Sequence, residues 1–380
     1  MQYRAFGQLD WKPSALGFGA MRLPVIDNDP GQIDEPEATR MLRAAIDGGI
    51  NYVDTAYPYH GGTSESFVGR ALQDGYRERI RLATKLPSWL VKEPADFDRY
   101  LNEQLERLQT KTIDFYLLHA LNEKFWPNLC NLKVFDWAER AMADGRIGHL
   151  GFSFHDTYDI FQEIVDAYDW TFCQIQYNYM DKEHQAGTRG LQYAAGKGLA
   201  VVIMEPIRGG LLARRPPRPV VELWESAPRQ RTPTEWALQW VWNHPEVSLL
   251  LSGMSTLEQV KQNIASAARS GSGALTAEEV ALVSRVRDKY RELAPIPCTN
   301  CKYCLPCPSG VNIPRILEIY NEAVMYGDLK TARMFYSWLQ DEEKADVCVQ
   351  CGNCEELCPQ TIKIINWLAT AHHRLLGTGT

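Results

Sequence analysis

Apolar residues follow two alternating patterns along this chain. Short, nearly continuous apolar runs such as Ile113-Asp114-Phe115-Tyr116-Leu117-Leu118 read as strands buried on both faces. Between them lie longer stretches whose apolar residues recur three or four apart, as Tyr100, Leu101, Leu105 and Leu108 do, which is the stripe of an amphipathic helix. Strands are expected at 14–19, 51–54, 80–85, 113–118, 149–152, 171–175, 200–204 and 247–251. Helices are expected at 35–47, 64–72, 96–108, 135–143, 158–167, 185–195, 233–243 and 257–268. Eight strand–helix units over about 250 residues match a closed parallel (β/α)8 TIM barrel. An open doubly wound sheet is the alternative, but no Gly-x-Gly-x-x-Gly turn follows the first strand.

Residues 2–13 read as a short hairpin ahead of the first strand. A further long helix is expected at 275–293, capped by Thr276 with Glu279 three residues on. Ala294-Pro295-Ile296-Pro297 then breaks the chain, so the sequence divides into a barrel, 1–293, and a small α-helical domain, 294–380. That domain has helical periodicity at 313–325, 329–339 and 362–375.

Composition narrows the function classes. A net charge of −7 gives no basic surface for nucleic acid. No apolar run approaches the roughly 18–20 residues that span a bilayer. Met1-Gln2-Tyr3-Arg4 opens no signal-like stretch, so a cytoplasmic protein with no membrane partner is expected. Of ten cysteines, Cys130 and Cys173 are isolated and expected to be buried as small apolar residues. The other eight crowd into 298–358, which points to metal rather than disulfides.

Three successive strands end on chemistry. The second ends on Asp54 and its loop delivers Tyr59; the third ends on Lys85; the fourth ends on His119. In a parallel barrel the C-terminal ends of neighbouring strands open into one pocket, so a carboxylate, a phenol, an amine and an imidazole meet there. Asp54 is expected to hold Lys85. The Lys85 ammonium is expected to lower the Tyr59 pKa, and His119 to orient a carbonyl oxygen while Tyr59 acts as general acid. Singly, each residue also has a structural reading, as a turn cap, a loop aromatic, a solvated strand end or a core imidazole; their placement at matching strand ends favours the site.

Asp54-Thr-Ala-x-x-Tyr59, Thr84-Lys85 and Leu117-Leu118-His119 resemble the catalytic tetrad of the aldo-keto reductases. The resemblance extends from residue 1 to about 293 and implies hydride transfer between NAD(H) or NADP(H) and a small-molecule carbonyl or alcohol. It implies that Asp54, Tyr59, Lys85 and His119 are catalytic. For the cofactor it implies Ser153 and Gln174 at the nicotinamide amide, and Met204 where the family stacks a tyrosine. It further implies Gly209, Gly210 and Leu211 near the phosphates, and Gln259 and Asn263 at the adenosine end. Ser252-Gly253-Met254-Ser255 and Gln259 stand where the family often places cations for a 2′-phosphate; Arg214, Arg215 and Arg218 are the nearest substitutes in sequence. Aromatics at Trp89 and in 122–132 suggest an apolar or ring-bearing substrate.

The cysteine runs are Cys298-x2-Cys301-x2-Cys304-x2-Cys307-Pro308 and Cys348-x2-Cys351-x2-Cys354-x3-Cys358-Pro359. The second is a full ferredoxin-type run; the first is one residue short before its last cysteine. Zinc also uses Cys-x2-Cys pairs but has no need of a third evenly spaced cysteine followed by Cys-Pro. Two 4Fe–4S clusters are therefore expected, with Cys358 completing the first and Cys307 the second, and a ferredoxin-like electron donor as a candidate partner. Two other readings stay open: a redox-sensing or electron-transfer subunit, and a flavin or radical enzyme that reuses the barrel.

Overall fold

The computed structural model describes residues 1–298, 304–358 and 360–376. Its apolar runs form eight parallel strands: β1 (Leu16–Gly19), β2 (Tyr52–Asp54), β3 (Arg81–Leu86), β4 (Ile113–Leu121), β5 (Ile147–Phe154), β6 (Phe172–Gln176), β7 (Ala200–Met204) and β8 (Val247–Gly253). Each pairs with its sequence neighbour, and β8 returns to β1, so the sheet closes into a barrel with no free edge. Helices follow the strands because each intervening segment has one apolar face; Glu35–Asp47, for example, buries Ala38, Met41, Leu42, Ala45 and Ile46. Its start is fixed by Asp34, whose carboxylate accepts the Glu37 N–H at 3.2 Å.

The N-terminal hairpin stoppers one end of the barrel. Tyr3 bridges Ser14 in antiparallel fashion and Phe6 bridges Leu9, which pushes the fully buried Phe6 ring inward. There it meets Phe115 at 4.9 Å and Phe172 at 5.7 Å between ring centres, with Tyr52 and Leu249 in the same cluster. With that end filled by aromatic side chains, a ligand enters at the strands' C-terminal ends.

The register aligns those ends. Gly253 pairs with Gly19, Gly19 with Asp54, Lys85 with Leu117, Leu117 with Gly151, and Ser153 with Gln174. β4 runs past the expected end at Leu118 to Leu121, with a register shift between Leu118 and Leu121 and a left-handed Ala120 (φ 55°). This bulge turns His119 at the strand's end.

Two short helices lie in stretches expected to be loops, Trp126–Asn131 and Arg218–Glu225. In both, proline occupies a first-turn position where a missing N–H costs nothing. Cys173 is fully buried as expected, but Cys130 is exposed: it lies on the outer side of Trp126–Asn131, whose inner side buries Trp126 and Leu129.

By compactness the chain divides into Met1–Ala213 with Thr234–Ala277, and Arg214–Pro233 with Glu278–Thr380. The second unit contains the helices Ala277–Leu293, Ile313–Tyr326, Leu329–Ser337, Asn353–Glu356 and Ile364–Leu376. Its core is built from Ile316, Leu317, Ile319, Tyr336, Leu368 and Leu375, among others. Asn321 clamps the proline break onto it, accepting the Ile296 N–H at 2.9 Å and donating to the Ile296 carbonyl at 2.8 Å. Among the described residues no helix is long and apolar enough to cross a membrane.

Candidate active site

Lys85 sits at the centre of the barrel mouth, almost wholly buried. Its Nζ donates to Asp54 Oδ1 at 2.7 Å, to the Thr55 carbonyl at 2.7 Å and to the Tyr59 hydroxyl oxygen at 3.3 Å. These three acceptors use all three ammonium protons. Because Lys85 donates to the Tyr59 oxygen, the phenol keeps its own proton for another acceptor. The four sequence-predicted groups gather here: the Tyr59 and His119 rings lie 6.2 Å apart, edge to face.

Burial sets the electrostatics. It pulls the Lys85 pKa down, but the Asp54 carboxylate and Tyr59 outweigh it, and the ammonium ends above its ordinary value. Burial raises Asp54, against the attraction of Lys85. For Tyr59 the sequence-based expectation has the wrong sign. Burial raises its pKa, with Asp54 and Glu205 adding to the rise, and the opposing pull of Lys85 does not overcome them. Desolvation of the phenolate is a tertiary effect that one neighbouring charge in the sequence cannot reveal. His119 is pushed well below its ordinary value by burial, then by Lys85 and His155, so its imidazole is neutral near pH 7. Its Nδ1 is buried and has no protein partner. Trp89, in a one-turn helix at Ser88–Leu90, stands 5.1 Å from the His119 ring.

A buried polar network beneath the site holds Thr84 and Lys85 in place. Gln104 donates to the Lys85 carbonyl at 3.0 Å and to Glu65 at 2.5 Å, and it accepts from the Tyr116 hydroxyl at 2.6 Å. Thr84 donates to Glu65 at 2.6 Å. Sequence reasoning missed these residues; the available signal was polar Glu65 and Gln104 on helix faces that otherwise bury apolar side chains.

The cofactor candidates fall into two groups. Ser153 and Gln174 are buried next to each other in register at the mouth. Ser153 Oγ accepts the Ala120 N–H at 2.8 Å and so braces the β4 bulge. Gln174 donates to the Met204 sulfur at 3.6 Å, while its Oε1 is buried without a partner, an acceptor that suits a carboxamide N–H. Beyond β7, Gly209 (φ 63°) and Gly210 (φ 100°) make a left-handed turn whose Gly210 N–H donates to the Ile207 carbonyl at 3.1 Å, followed by buried Leu211. At the adenosine end, Asn263 donates to Ser252 Oγ at 3.1 Å, and Gln259 Oε1 accepts the Ser255 N–H at 2.8 Å. These polar groups and glycines fit a nicotinamide dinucleotide. Two of the three arginines considered for a 2′-phosphate are already ion-paired: Arg214 with Asp328 at 2.5 Å and Arg218 with Glu222 at 3.1 Å.

In the second unit, Cys304 and Cys307 from the first run and Cys348, Cys351 and Cys354 from the second line one pocket, together with Ile313 and Ile365. Cys298 and Cys358 pack against the same helical core. Cys301 and Pro359 lie outside the described residues. Among the described residues no disulfide joins the cysteines. Burial, then Cys348 and Glu355, raise the Cys354 thiol, and Cys307 adds to the effect. Among the described residues no three His, Cys, Asp or Glu side chains are grouped so as to hold a single metal ion.

Comparison with known proteins places this geometry. The profile of the Aldo/keto reductase family matches residues 15–288, and that of a 4Fe-4S dicluster domain matches residues 297–363. The chain is similar to L-galactose dehydrogenase of Arabidopsis thaliana, 27% identical over 315 residues, covering 77% of this chain and 96% of that one. Among solved structures it resembles the aldo-keto reductase AKR11C1 from Bacillus halodurans, holo form (TM-score 0.63, 29% identity, covering 75% of this chain and 96% of that one). It also resembles an aldo-keto reductase from Klebsiella pneumoniae in complex with NADPH (TM-score 0.60, 26% identity, covering 76% of this chain and 96% of that one).

Proposed function

The chain belongs to the aldo/keto reductase family, and from that premise we propose that it interconverts a carbonyl and an alcohol with a nicotinamide cofactor, at the Tyr59 hydroxyl. The observation that carries this is the Lys85 ammonium held between Asp54 at 2.7 Å and the Tyr59 oxygen at 3.3 Å. Bound nicotinamide supplies the hydride. Tyr59 donates its proton to the carbonyl oxygen; its raised pKa keeps that proton in place until the oxygen becomes basic. Lys85 then stabilises the phenolate, and Asp54 keeps Lys85 charged. Neutral His119 donates an N–H to the same oxygen and orients it, while Trp89 offers an apolar face that favours a ring-bearing or apolar substrate. Gln174 and Ser153 hold the carboxamide, Gly209 and Gly210 admit the diphosphate, and Gln259 and Asn263 flank the adenosine.

The cofactor is NADH, or either nucleotide with weak discrimination. Gln262 is paired with Glu258 at 2.9 Å, which puts a carboxylate in the first turn of the helix where a 2′-phosphate cation would be needed. Dissociation constants for NADH and NADPH at one ionic strength test this. NADH is expected to bind at least as tightly; a much tighter NADPH would contradict it.

Two 4Fe–4S clusters complete the reading, one on Cys298, Cys301, Cys304 and Cys358, the other on Cys348, Cys351, Cys354 and Cys307. Cys307 lines one pocket with Cys348, Cys351 and Cys354, as the crossed ligation requires, and Cys304 of the other set lines it too. Clusters of this kind move one electron at a time and hydride moves two, so the clusters serve an external single-electron carrier of ferredoxin type. Anaerobic purification should yield about eight iron atoms per chain, with at least one cluster reduced reversibly by EPR. Cys351→Ser should impair turnover more than barrel stability. Clusters that never change state during full-rate turnover with NADH alone would assign them a structural role.

A further inference from the structure

The loop after β1 carries a cation that the mechanism leaves unused. Arg22 is exposed, and among the described residues no carboxylate pairs with it, unlike Arg214 and Arg218. Its side chain lies across the ends of two other strands. A Cβ added at Gly253 would come within 3.1 Å of Arg22 Cβ and 3.3 Å of Cδ, so the methylene stem occupies the space that glycine leaves at the end of β8. A Cβ added at Gly209 would lie 3.2 Å from Arg22 Nη2, so the guanidinium reaches the left-handed turn after β7.

The loop is tied at both sides of Arg22. Ser255 Oγ donates to the Arg22 carbonyl at 2.8 Å. The next N–H, that of Leu23, donates to His60 Nε2 at 3.2 Å, and His60 Nδ1 meets the Pro30 carbonyl at 2.8 Å. The Pro30 carbonyl places the imidazole proton on Nδ1 and leaves Nε2 as acceptor, and burial lowers the His60 pKa, which keeps the ring neutral for that role. His60 directly follows Tyr59 and has a left-handed backbone (φ 53°). One residue thus fixes the loop carrying Arg22 to the turn carrying the phenol.

We propose that Arg22 is the cation that binds the cofactor's diphosphate, and that His60 is its positioning residue; this rests on the reductase reading above. A planar guanidinium presents parallel N–H donors to two phosphate oxygens. Here it is fixed beside the Gly209-Gly210 turn, where the missing side chains let a diphosphate approach the backbone. No basic residue in the loop after β8 offers the same contact: 252–257 reads Ser-Gly-Met-Ser-Thr-Leu.

The test is equilibrium binding of NADH, ADP-ribose and adenosine to the anaerobically purified full chain at two salt concentrations. Arg22→Met should weaken NADH and ADP-ribose together by about tenfold to a hundredfold, the range for losing charge-assisted hydrogen bonds. It should leave adenosine unchanged and flatten the salt dependence, with Arg22→Lys in between. His60→Leu should weaken NADH less, and add little on top of Arg22→Met, because both act through one contact. Wild-type affinity and salt dependence in Arg22→Met, or an equal loss for adenosine, would overturn the assignment. Full additivity of the two substitutions would overturn the positioning role of His60. A wild-type chain that binds neither NADH nor NADPH would overturn the reductase reading itself, and with it this inference.

Discussion

Replacing Tyr59 by Phe is expected to lower turnover by about 10²–10⁴-fold, the usual worth of a positioned general acid, while the NADH dissociation constant stays nearly unchanged. The ring fills the same space, so His119 keeps its edge-to-face neighbour 6.2 Å away. Only the hydroxyl is lost, and with it the proton that Lys85 leaves free by donating to its oxygen at 3.3 Å. Steady-state kinetics and fluorescence titration on the same preparation separate the two effects. Full activity in Tyr59→Phe on a confirmed substrate would remove Tyr59 from the mechanism, and a large loss of NADH affinity would mean that the phenol serves binding.

Replacing Asp54 by Ala should cost both folding and catalysis. The Asp54–Lys85 pair is 2.7 Å long, with side-chain exposures of 3% and 1%, so neither charge has water to replace its partner. Removing one member of a buried pair destabilises a protein by about 3–5 kcal/mol, because the other charge stays buried and uncompensated. Lys85 can relieve part of this by losing its proton, but a neutral amine no longer stabilises the Tyr59 phenolate. Urea denaturation should therefore show a clearly lower midpoint, and Asp54→Asn, which keeps an acceptor, should fall between the two. Unchanged stability in Asp54→Ala would mean that Lys85 reaches solvent.

The barrel was legible in the sequence because its two periodicities are local: Ala200–Met204 and Leu257–Ala268 occur at the expected bounds. The convergence of Asp54, Tyr59, Lys85 and His119 was legible because strand ends in a parallel barrel open on one side, so residues far apart in sequence could be placed together by topology. What stayed hidden depends on tertiary context. Ala120 gives no hint of the left-handed bulge that turns His119, since nothing in an alanine favours φ 55°. The helix Arg218–Glu225 was masked by the prolines before it and at its first turn. The direction of the Tyr59 shift needed the burial of the phenol, and the role argued for Arg22 needed Gly209 and Gly253 in space. In the C-terminal unit the cysteine spacing was plain, and the structure adds that Cys307 lines the same pocket as the second run.

The central claim is that hydride passes from nicotinamide to a carbonyl carbon while Tyr59 supplies the proton. The most direct measurement is anaerobic incubation of the full chain with NADH carrying two deuterium atoms at C4 and a panel of ring-bearing aldehydes and ketones, with mass spectrometry of the alcohols. The account predicts one deuterium on the carbinol carbon of product made by the wild type, and almost no product from Tyr59→Phe. Alcohol formed without deuterium, or formed equally well by Tyr59→Phe, would contradict it.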